Sequence, residues 1–366
     1  MNLPQINIGG KVTKFPIIQG GMGIGVSLSR LASAVANYGG IGVISGVQIG
    51  FREDDFETNC DKANERALAK EIRKARELSP RGILGVNLMV AINNYKEMVM
   101  VAVKEKVDLI ISGAGLPSEL PSLVKGSDTK IAPIVSSSKA AAVITKLWKK
   151  RYDYLPDLVI VEGPKAGGHL GFSLEQLSSD NLPHLNEIIQ DVINVLKPLE
   201  KESGKKIPVI AAGGIFNKED IKKCIELGAS GVQMGTRFVA TEECDAAEEF
   251  KMAYINSKMD DIDIILSPVG MPGQALVNPF IKKIRIEKEK ISKCYKCLTP
   301  CKPATTPYCI SKALINSVKG DVDNGLVFIG KNGYRINKMT NVKELIDELF
   351  TAQEKAKLGM HRQSVR

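Results

Sequence analysis

The sequence contains no run of about 20 apolar residues, the length that a helix needs to cross the hydrocarbon core of a membrane. Its first residues, MNLPQINIGGKVTKFPIIQ, also lack the basic start, apolar centre and cleavage site of a signal peptide. Both absences predict a cytoplasmic protein that does not enter a membrane. Thiols stay reduced in that compartment, so we expect the seven cysteines to be free thiols or metal ligands rather than disulfides.

Aromatic residues are scarce, at 5% of the chain, although the formal net charge is +9. Two basic stretches stand out, KLWKKR at 146–151 and FIKKIRIEKEKISK at 280–293, but no aromatic stacking platform accompanies either one. Glutamates also interrupt the lysines of the second stretch. We therefore predict solvated basic surface, which can attract anionic substrates, and no nucleic-acid partner.

Glycine is abundant, with 33 residues against 17 prolines, which favours many tight turns over disorder. Eight short, unbroken apolar runs alternate with amphipathic stretches such as 61–78 and 185–203, which have helical periodicity. Such runs are typical of parallel strands that are buried on both faces. The predicted strands are 15–19, 41–45, 83–87, 109–113, 131–135, 158–162, 208–212 and 231–235.

Eight strand–helix units predict an α/β protein with a (β/α)8 TIM barrel, which we assign to residues 1–261. A doubly wound open sheet is the alternative architecture. That fold would place its glycine-rich turn after the first strand, whereas here glycines or small polar residues follow nearly every strand.

The alternation of strands and helices stops after the barrel. We predict that 262–324 is an insertion that contains a lid-like loop, SPVGMPGQALVNPF at 267–280, and a cysteine cluster. A plain linker is the alternative interpretation of that loop. From 325 to 366 we predict a C-terminal return with two short strand-like pieces, a turn and a final amphipathic helix that packs on the barrel.

Glycines follow the seventh and eighth predicted strands, in AAGGI (211–215) and MGTRF (234–238). Barrel enzymes commonly bind phosphate after these two strands. Gly213 and Gly214 let the backbone approach an anion closely, and Gly235 and Thr236 add further amides and a hydroxyl group. Tight turns without any ligand are the alternative. Two such turns on neighbouring strands predict a phosphate site.

The first and third strands end in motifs that suit a flat ring. Gly21 and Met22, in QGGMG, allow an aromatic ring to lie against the backbone, and Asn87, in GVNLMV, can form hydrogen bonds with its polar edge. The alternative role for Met22 is that of a core filler.

Five motifs occur in this order at predicted strand ends: QGGMG, GVNLMV, VEGPKAGGHLG, IAAGGI and GVQMGTRFVAT. In this combination the sequence resembles the nitronate monooxygenase (2-nitropropane dioxygenase) family, which is related to flavin-dependent enoyl-acyl-carrier-protein reductases. The resemblance covers roughly residues 10–260. It implies an FMN-binding barrel in which His169 is the active-site histidine. The residues that it places around the cofactor are Gly21, Met22, Asn87, Gly167, Gly168, Ala212, Gly213, Gly214, Gly235 and Thr236.

One position departs from this family pattern. The family usually reads EGxEAGGH, whereas Lys165 stands here in place of the second glutamate. The change from an acid to a base beside the active loop favours an anionic substrate.

His169 is one of only three histidines, and it lies in a glycine-rich loop. The glycines let the chain fold tightly over a planar cofactor and present one side chain to it. An imidazole there can accept a proton from an acidic C–H group, donate one to a carbanion, or favour an anion. A passive hydrogen-bonding role at the surface is the alternative.

Two enzyme functions share this predicted site. In the first, an alkyl nitronate reduces FMN, and O2 completes the oxidation. In the second, NAD(P)H reduces FMN, which then reduces an enoyl thioester or a quinone. The motif resemblance favours the first. A third hypothesis, from another class, is a non-catalytic barrel that binds flavin or phosphate. The sequence predicts no oligomeric state.

Four of the cysteines, Cys294, Cys297, Cys301 and Cys309, form a C-x2-C-x3-C-x7-C array within the predicted insertion. Four thiolates at such spacing can bind zinc or an iron–sulfur cluster. The spacing differs from the paired C-x2-C motifs of zinc ribbons, so free thiols are the alternative.

Overall fold

The computed structural model describes residues 3–351. The last part of the predicted C-terminal return, residues 352–366 with His361, lies outside the described residues.

Thirteen strands are found in this part of the chain. They are β1 (Asn7–Ile8), β2 (Lys11–Val12), β3 (Ile17–Gln19), β4 (Ile41–Ser45), β5 (Ile83–Met89), β6 (Leu109–Gly113), β7 (Lys130–Val135), β8 (Val159–Glu162), β9 (Gly168–His169), β10 (Val209–Ala212), β11 (Gly231–Met234), β12 (Ile262–Leu266) and β13 (Pro272–Leu276).

Thirteen α-helices accompany the strands within residues 3–351. They are α1 (Ser29–Asn37), α2 (Cys60–Leu78), α3 (Tyr95–Lys104), α4 (Leu120–Leu123), α5 (Ser138–Tyr152), α6 (Leu174–Leu177), α7 (Leu185–Ser203), α8 (Lys218–Glu226), α9 (Thr236–Val239), α10 (Glu248–Ile255), α11 (Pro279–Ile286), α12 (Ile310–Val318) and α13 (Val342–Phe350). Short 3-10 helices occur at Met259–Asp261, Val322–Asn324 and Gly333–Arg335. None of the described helices is long and apolar enough to cross a membrane.

Eight parallel strands close into a barrel in the order β10-β11-β3-β4-β5-β6-β7-β8. The predicted TIM barrel is therefore confirmed, and each predicted strand overlaps one barrel strand. Alternate side chains of a strand point to opposite sides of the barrel wall. On β4, for example, Ile41 and Val43 belong to the core inside the barrel, whereas Ile44 packs with the surrounding helices. Burial on both sides explains the unbroken apolar runs in the sequence.

A second, antiparallel sheet lies beside the barrel, in the order β12-β13-β9. Strand β13 pairs with β12 along its whole length and with β9 through the pairs Gly273–His169 and Gln274–Gly168. Part of the predicted lid-like loop is thus a strand, and its pairing with β9 fixes the backbone that carries the histidine.

The chain after residue 325 differs from its prediction in one respect. The two strand-like pieces are not strands; only an isolated bridge joins Phe328 to Ala275. Helix α13 packs against α1, α8 and α9. It buries four apolar side chains at helical spacing, those of Val342, Leu345, Ile346 and Leu349.

Candidate active site

A cavity of about 470 Å³ opens at the carboxyl ends of the barrel strands. The structure brings all of the predicted cofactor-binding residues and the predicted catalytic histidine to its wall. These residues are Gly21, Met22, Asn87, Gly167, Gly168, His169, Ala212, Gly213, Gly214, Gly235 and Thr236. They come from five different strand ends, so only the closed barrel makes them neighbours.

The turn after β10 has a backbone that only glycine adopts easily. Gly213 and Gly214 have φ angles of +93° and +82°, in the left-handed region. A Cβ atom on Gly213 would lie 2.8 Å from the carbonyl oxygen of Gly163, so a side chain does not fit there. The turn therefore exposes backbone to the cavity, as close binding of an anion requires.

Residues from the end of the chain enclose this turn. Asn332 donates a side-chain hydrogen bond to the carbonyl oxygen of Gly214 at 2.6 Å. The backbone N–H of Gly330 donates to Oγ1 of Thr236 at 3.2 Å, which leaves the hydroxyl hydrogen of Thr236 free to donate. The glycine turn and the threonine thus offer hydrogen-bond donors to the same end of the cavity.

The neighbouring part of the wall, at the end of β3, has the close approach that a flat ring needs. A Cβ atom on Gly21 would lie 2.3 Å from Cβ of Asn87, so the chain passes here only as glycine. Gln233 also lines the cavity, and its buried Oε1 atom has no hydrogen-bond partner. A buried amide oxygen without a donor is costly, and an N–H group at the edge of a bound ring would satisfy it. Together with the glycine turn, this wall fits FMN.

His169 is held by contacts on three sides. Its backbone pairs with Gly273, its Nε2 atom lies 2.7 Å from Oγ of Ser267, and its ring meets that of Phe328 edge-on at 5.0 Å between centroids. Burial lowers the pKa of His169 to about 4. The imidazole is therefore neutral near pH 7, and it can act as a base or as a neutral hydrogen-bonding group.

Glu162 is the last residue of strand β8, and in the described part of the chain it is the one aspartate or glutamate that lines the cavity. Burial raises its pKa to about 7, because no compensating charge stabilises the carboxylate. The group is thus poised to change protonation near neutral pH.

The described structure does not support the predicted metal site at the cysteine cluster. In residues 3–351, no three histidine, cysteine or acidic side chains are arranged to hold a metal ion. Cys294 is exposed, whereas Cys297, Cys301 and Cys309 are partly buried, and burial raises the pKa of these three thiols. Zinc or iron–sulfur binding is therefore not supported, and only Cys297 of the four lines the cavity.

Sequence reasoning missed three residues of the site: Gln233 and Phe328, which line the cavity, and Ser267, which contacts His169. Gln233 belongs to the recognised motif GVQMG, so its position at a strand end could have identified it. Ser267 lies 98 residues from His169, and no local pattern links the two. Phe328 contacts the histidine from a segment that was predicted as a strand-like piece.

Comparison with known proteins places this geometry in context. The model of the nitronate monooxygenase family matches residues 7–352. A probable nitronate monooxygenase from Staphylococcus aureus (strain Newman) is 27% identical over 296 residues, which cover 74% of this chain and 78% of that protein. The structure of FabK from Thermotoga maritima is 26% identical and covers 92% of each chain, with a TM-score of 0.70. The structure of a nitroalkane oxidase from Streptomyces ansochromogenes, at 21% identity, shares the fold with a TM-score of 0.69 over 92% of this chain and 95% of that one.

Proposed function

The chain belongs to the nitronate monooxygenase family and is an oxidoreductase, and from that premise we propose that it is an FMN-dependent enzyme that oxidises alkyl nitronates with O2. The observation that carries this proposal is the half-buried His169, whose lowered pKa keeps it neutral, beside a cavity lined by a glycine turn and by a flat wall. The glycine turn suits a phosphate, and the flat wall suits a ring.

The proposed contacts of FMN follow from this division. Gly213, Gly214, Gly235 and Thr236 would hold the phosphate through backbone amides and one hydroxyl group. On the flat wall, Gly21, Met22 and Asn87 would border the ring, and Gln233 would accept a hydrogen bond from it. When bound, FMN supplies the redox chemistry that no side chain of the cavity can perform.

His169 would act on the substrate through its Nδ1 atom, because Ser267 engages Nε2. The Oγ atom of Ser267 also accepts a hydrogen bond from the backbone N–H of Val269 at 3.3 Å. If Nε2–H donates to that oxygen, Nδ1 carries no proton and can take one from the carbon next to a nitro group. With a preformed nitronate, proton removal is unnecessary, and the same side chain would only orient the anion.

A second candidate is reduction of an enoyl thioester or quinone by NAD(P)H at the same site. The similarity to the FabK structure, which covers 92% of both chains, is compatible with this second function. The two functions differ in the compound that delivers electrons to the flavin, so they can be separated by experiment.

The test is an anaerobic absorbance measurement on the purified protein, mixed in turn with a nitronate and with NAD(P)H. We expect a flavin spectrum at the start and its bleaching by the nitronate alone. Bleaching by NAD(P)H alone would transfer the assignment to the reductase. A purified protein that neither contains nor binds a flavin would exclude both, and a bound flavin that neither donor reduces would support a non-catalytic barrel.

A further inference from the structure

The cavity wall contains a single lysine or arginine within the described chain, Lys165. It lies in the loop after β8, between Glu162 and His169. Lys165 therefore brings an isolated positive charge to the cavity wall.

The side chain of Lys165 runs along the glycine turn. A Cβ atom built on Gly214 would lie 2.8 Å from Cβ, 3.6 Å from Cγ and 3.3 Å from Cδ of this lysine. Three consecutive carbons of the side chain thus follow the turn. The backbone at this point is fixed as well, because the carbonyl oxygen of Lys165 accepts hydrogen bonds from Lys331 N at 3.2 Å and Gln274 Nε2 at 3.4 Å.

The ammonium group of Lys165 makes no ion pair in residues 3–351, whereas the charged groups of two other cations near the turn have partners. Arg237 pairs with Glu348 at 2.9 Å and donates to the carbonyl oxygen of Phe216. The ammonium group of Lys331 donates to the carbonyl oxygen of Ile262 at 3.0 Å. The guanidinium of Arg335 lies over the ring of Phe216, 4.2 Å from its centroid. Lys165 is thus the cation of the cavity wall whose ammonium group makes no ion pair within residues 3–351.

We propose that Lys165 binds the phosphate of the cofactor and completes the site formed by the glycine turn and Thr236. This inference rests on the proposed FMN cofactor. A phosphate monoester carries between one and two negative charges at neutral pH, which backbone amides alone neutralise only in part. One charge-assisted hydrogen bond from an ammonium group would hold it more tightly. The lysine thereby becomes a determinant of FMN binding, rather than a contact for an anionic substrate.

The experiment compares FMN with riboflavin, which lacks the phosphate. Dissociation constants for both are measured by fluorescence on flavin-free, full-length wild type, K165M and K165R. The control variant is K218M, which removes an exposed lysine at the start of α8, outside the cavity. We expect K165M to weaken FMN binding on the order of tenfold and to leave riboflavin binding unchanged. K165R and K218M should retain most of the preference for FMN.

Other outcomes would overturn the inference and indicate why. An unchanged ratio of FMN to riboflavin affinity in K165M, whether both constants shift or neither does, would show that the lysine does not contact the phosphate. If K165M changed only the KM for an anionic substrate, Lys165 would be assigned to substrate binding instead. If wild type binds neither flavin, the proposed cofactor fails, and this inference fails with it. If wild type prefers FMN and K165M does so equally, only the role of Lys165 is lost.

Discussion

Glu162 lines the cavity, and burial shifts the pKa of its carboxyl group strongly. Its pKa is raised from 4.5 to about 7, so the native state keeps a proton that the unfolded chain releases above pH 4.5. Stability is therefore lost as pH rises from about 4.5 to about 7, and it stays lower above that range. A shift of this size corresponds to roughly 3 kcal/mol.

We predict that E162Q removes this loss in the flavin-free protein. The free energy of unfolding is measured in urea at pH 5 and at pH 8. Its decrease between these two pH values should be about 2–3 kcal/mol smaller in the variant than in wild type. E175Q, at an exposed position of α6, is the control and should behave as wild type. Equal pH dependence of E162Q and wild type would mean that water in the cavity solvates the carboxylate.

His169 is the residue on which the proposed chemistry depends most directly. With its pKa lowered to about 4, the base form persists as pH falls from 8 to 6, where an ordinary histidine would become protonated. We predict that kcat/KM for a neutral nitroalkane shows no acid limb near pH 6.5 that belongs to this group. The limb of His169 should lie well below pH 6, as a pH–rate profile would show.

Replacement of the same histidine separates its two proposed roles. H169N should lower kcat/KM for a neutral nitroalkane about 10²- to 10⁴-fold, and that for a preformed nitronate far less, because the anion needs no base. The exposed His184 provides a matched control, H184N, that should leave both rates unchanged. Equal losses with both substrates would assign His169 to anion binding rather than proton transfer.

At this scale, the sequence predicted which residues meet but not how the histidine is tuned. The glycines and His169 stand next to strand ends, and the barrel brings all strand ends to one face. The low pKa of His169, however, comes from burial by segments far along the chain, including Ser267 and Phe328. No local pattern encodes those contacts.

At the scale of elements, strand β13 joins the region after the barrel to the active-site loop. It pairs with β9 at two residues, and the turn before it brings Ser267 to His169. The sequence did not predict this strand, since its residues, PGQAL, begin with proline and glycine, which are depleted in strands. Its backbone hydrogen bonds go to β12 on one side and to β9 on the other, and the local sequence does not encode this pairing.

We predict that the hydroxyl of Ser267 orients the imidazole. S267A should lower kcat with a neutral nitroalkane on the order of tenfold, with little change in KM or in the affinity for FMN, because only one hydrogen bond is lost. S267T keeps the hydroxyl and should restore most of the rate. A loss of FMN affinity in S267A, or no recovery in S267T, would point to a packing role for the serine instead.

On the scale of the whole molecule, the cavity is assembled from distant parts of the chain. Gly21 follows the first barrel strand, whereas Gly330 and Asn332 come from a segment beyond the second sheet. Eight predicted strands sufficed to identify the barrel, because each strand carries its own apolar pattern. The enclosing segment could not be predicted, since 325–332 forms one bridge and otherwise irregular backbone, followed by a short 3-10 helix.

This assembly predicts how FMN affects backbone dynamics. Hydrogen exchange should slow on addition of FMN at 165–171, 212–216 and 234–237, and also at 328–333, since that segment encloses the proposed phosphate site through Asn332 and Gly330. The hairpin of β1 and β2 provides an internal control, because Gly9 contacts Lys130 at the opposite end of the barrel. Its exchange should not change. Protection confined to the three barrel turns would mean that the C-terminal segment packs against the protein without contributing to the cofactor site.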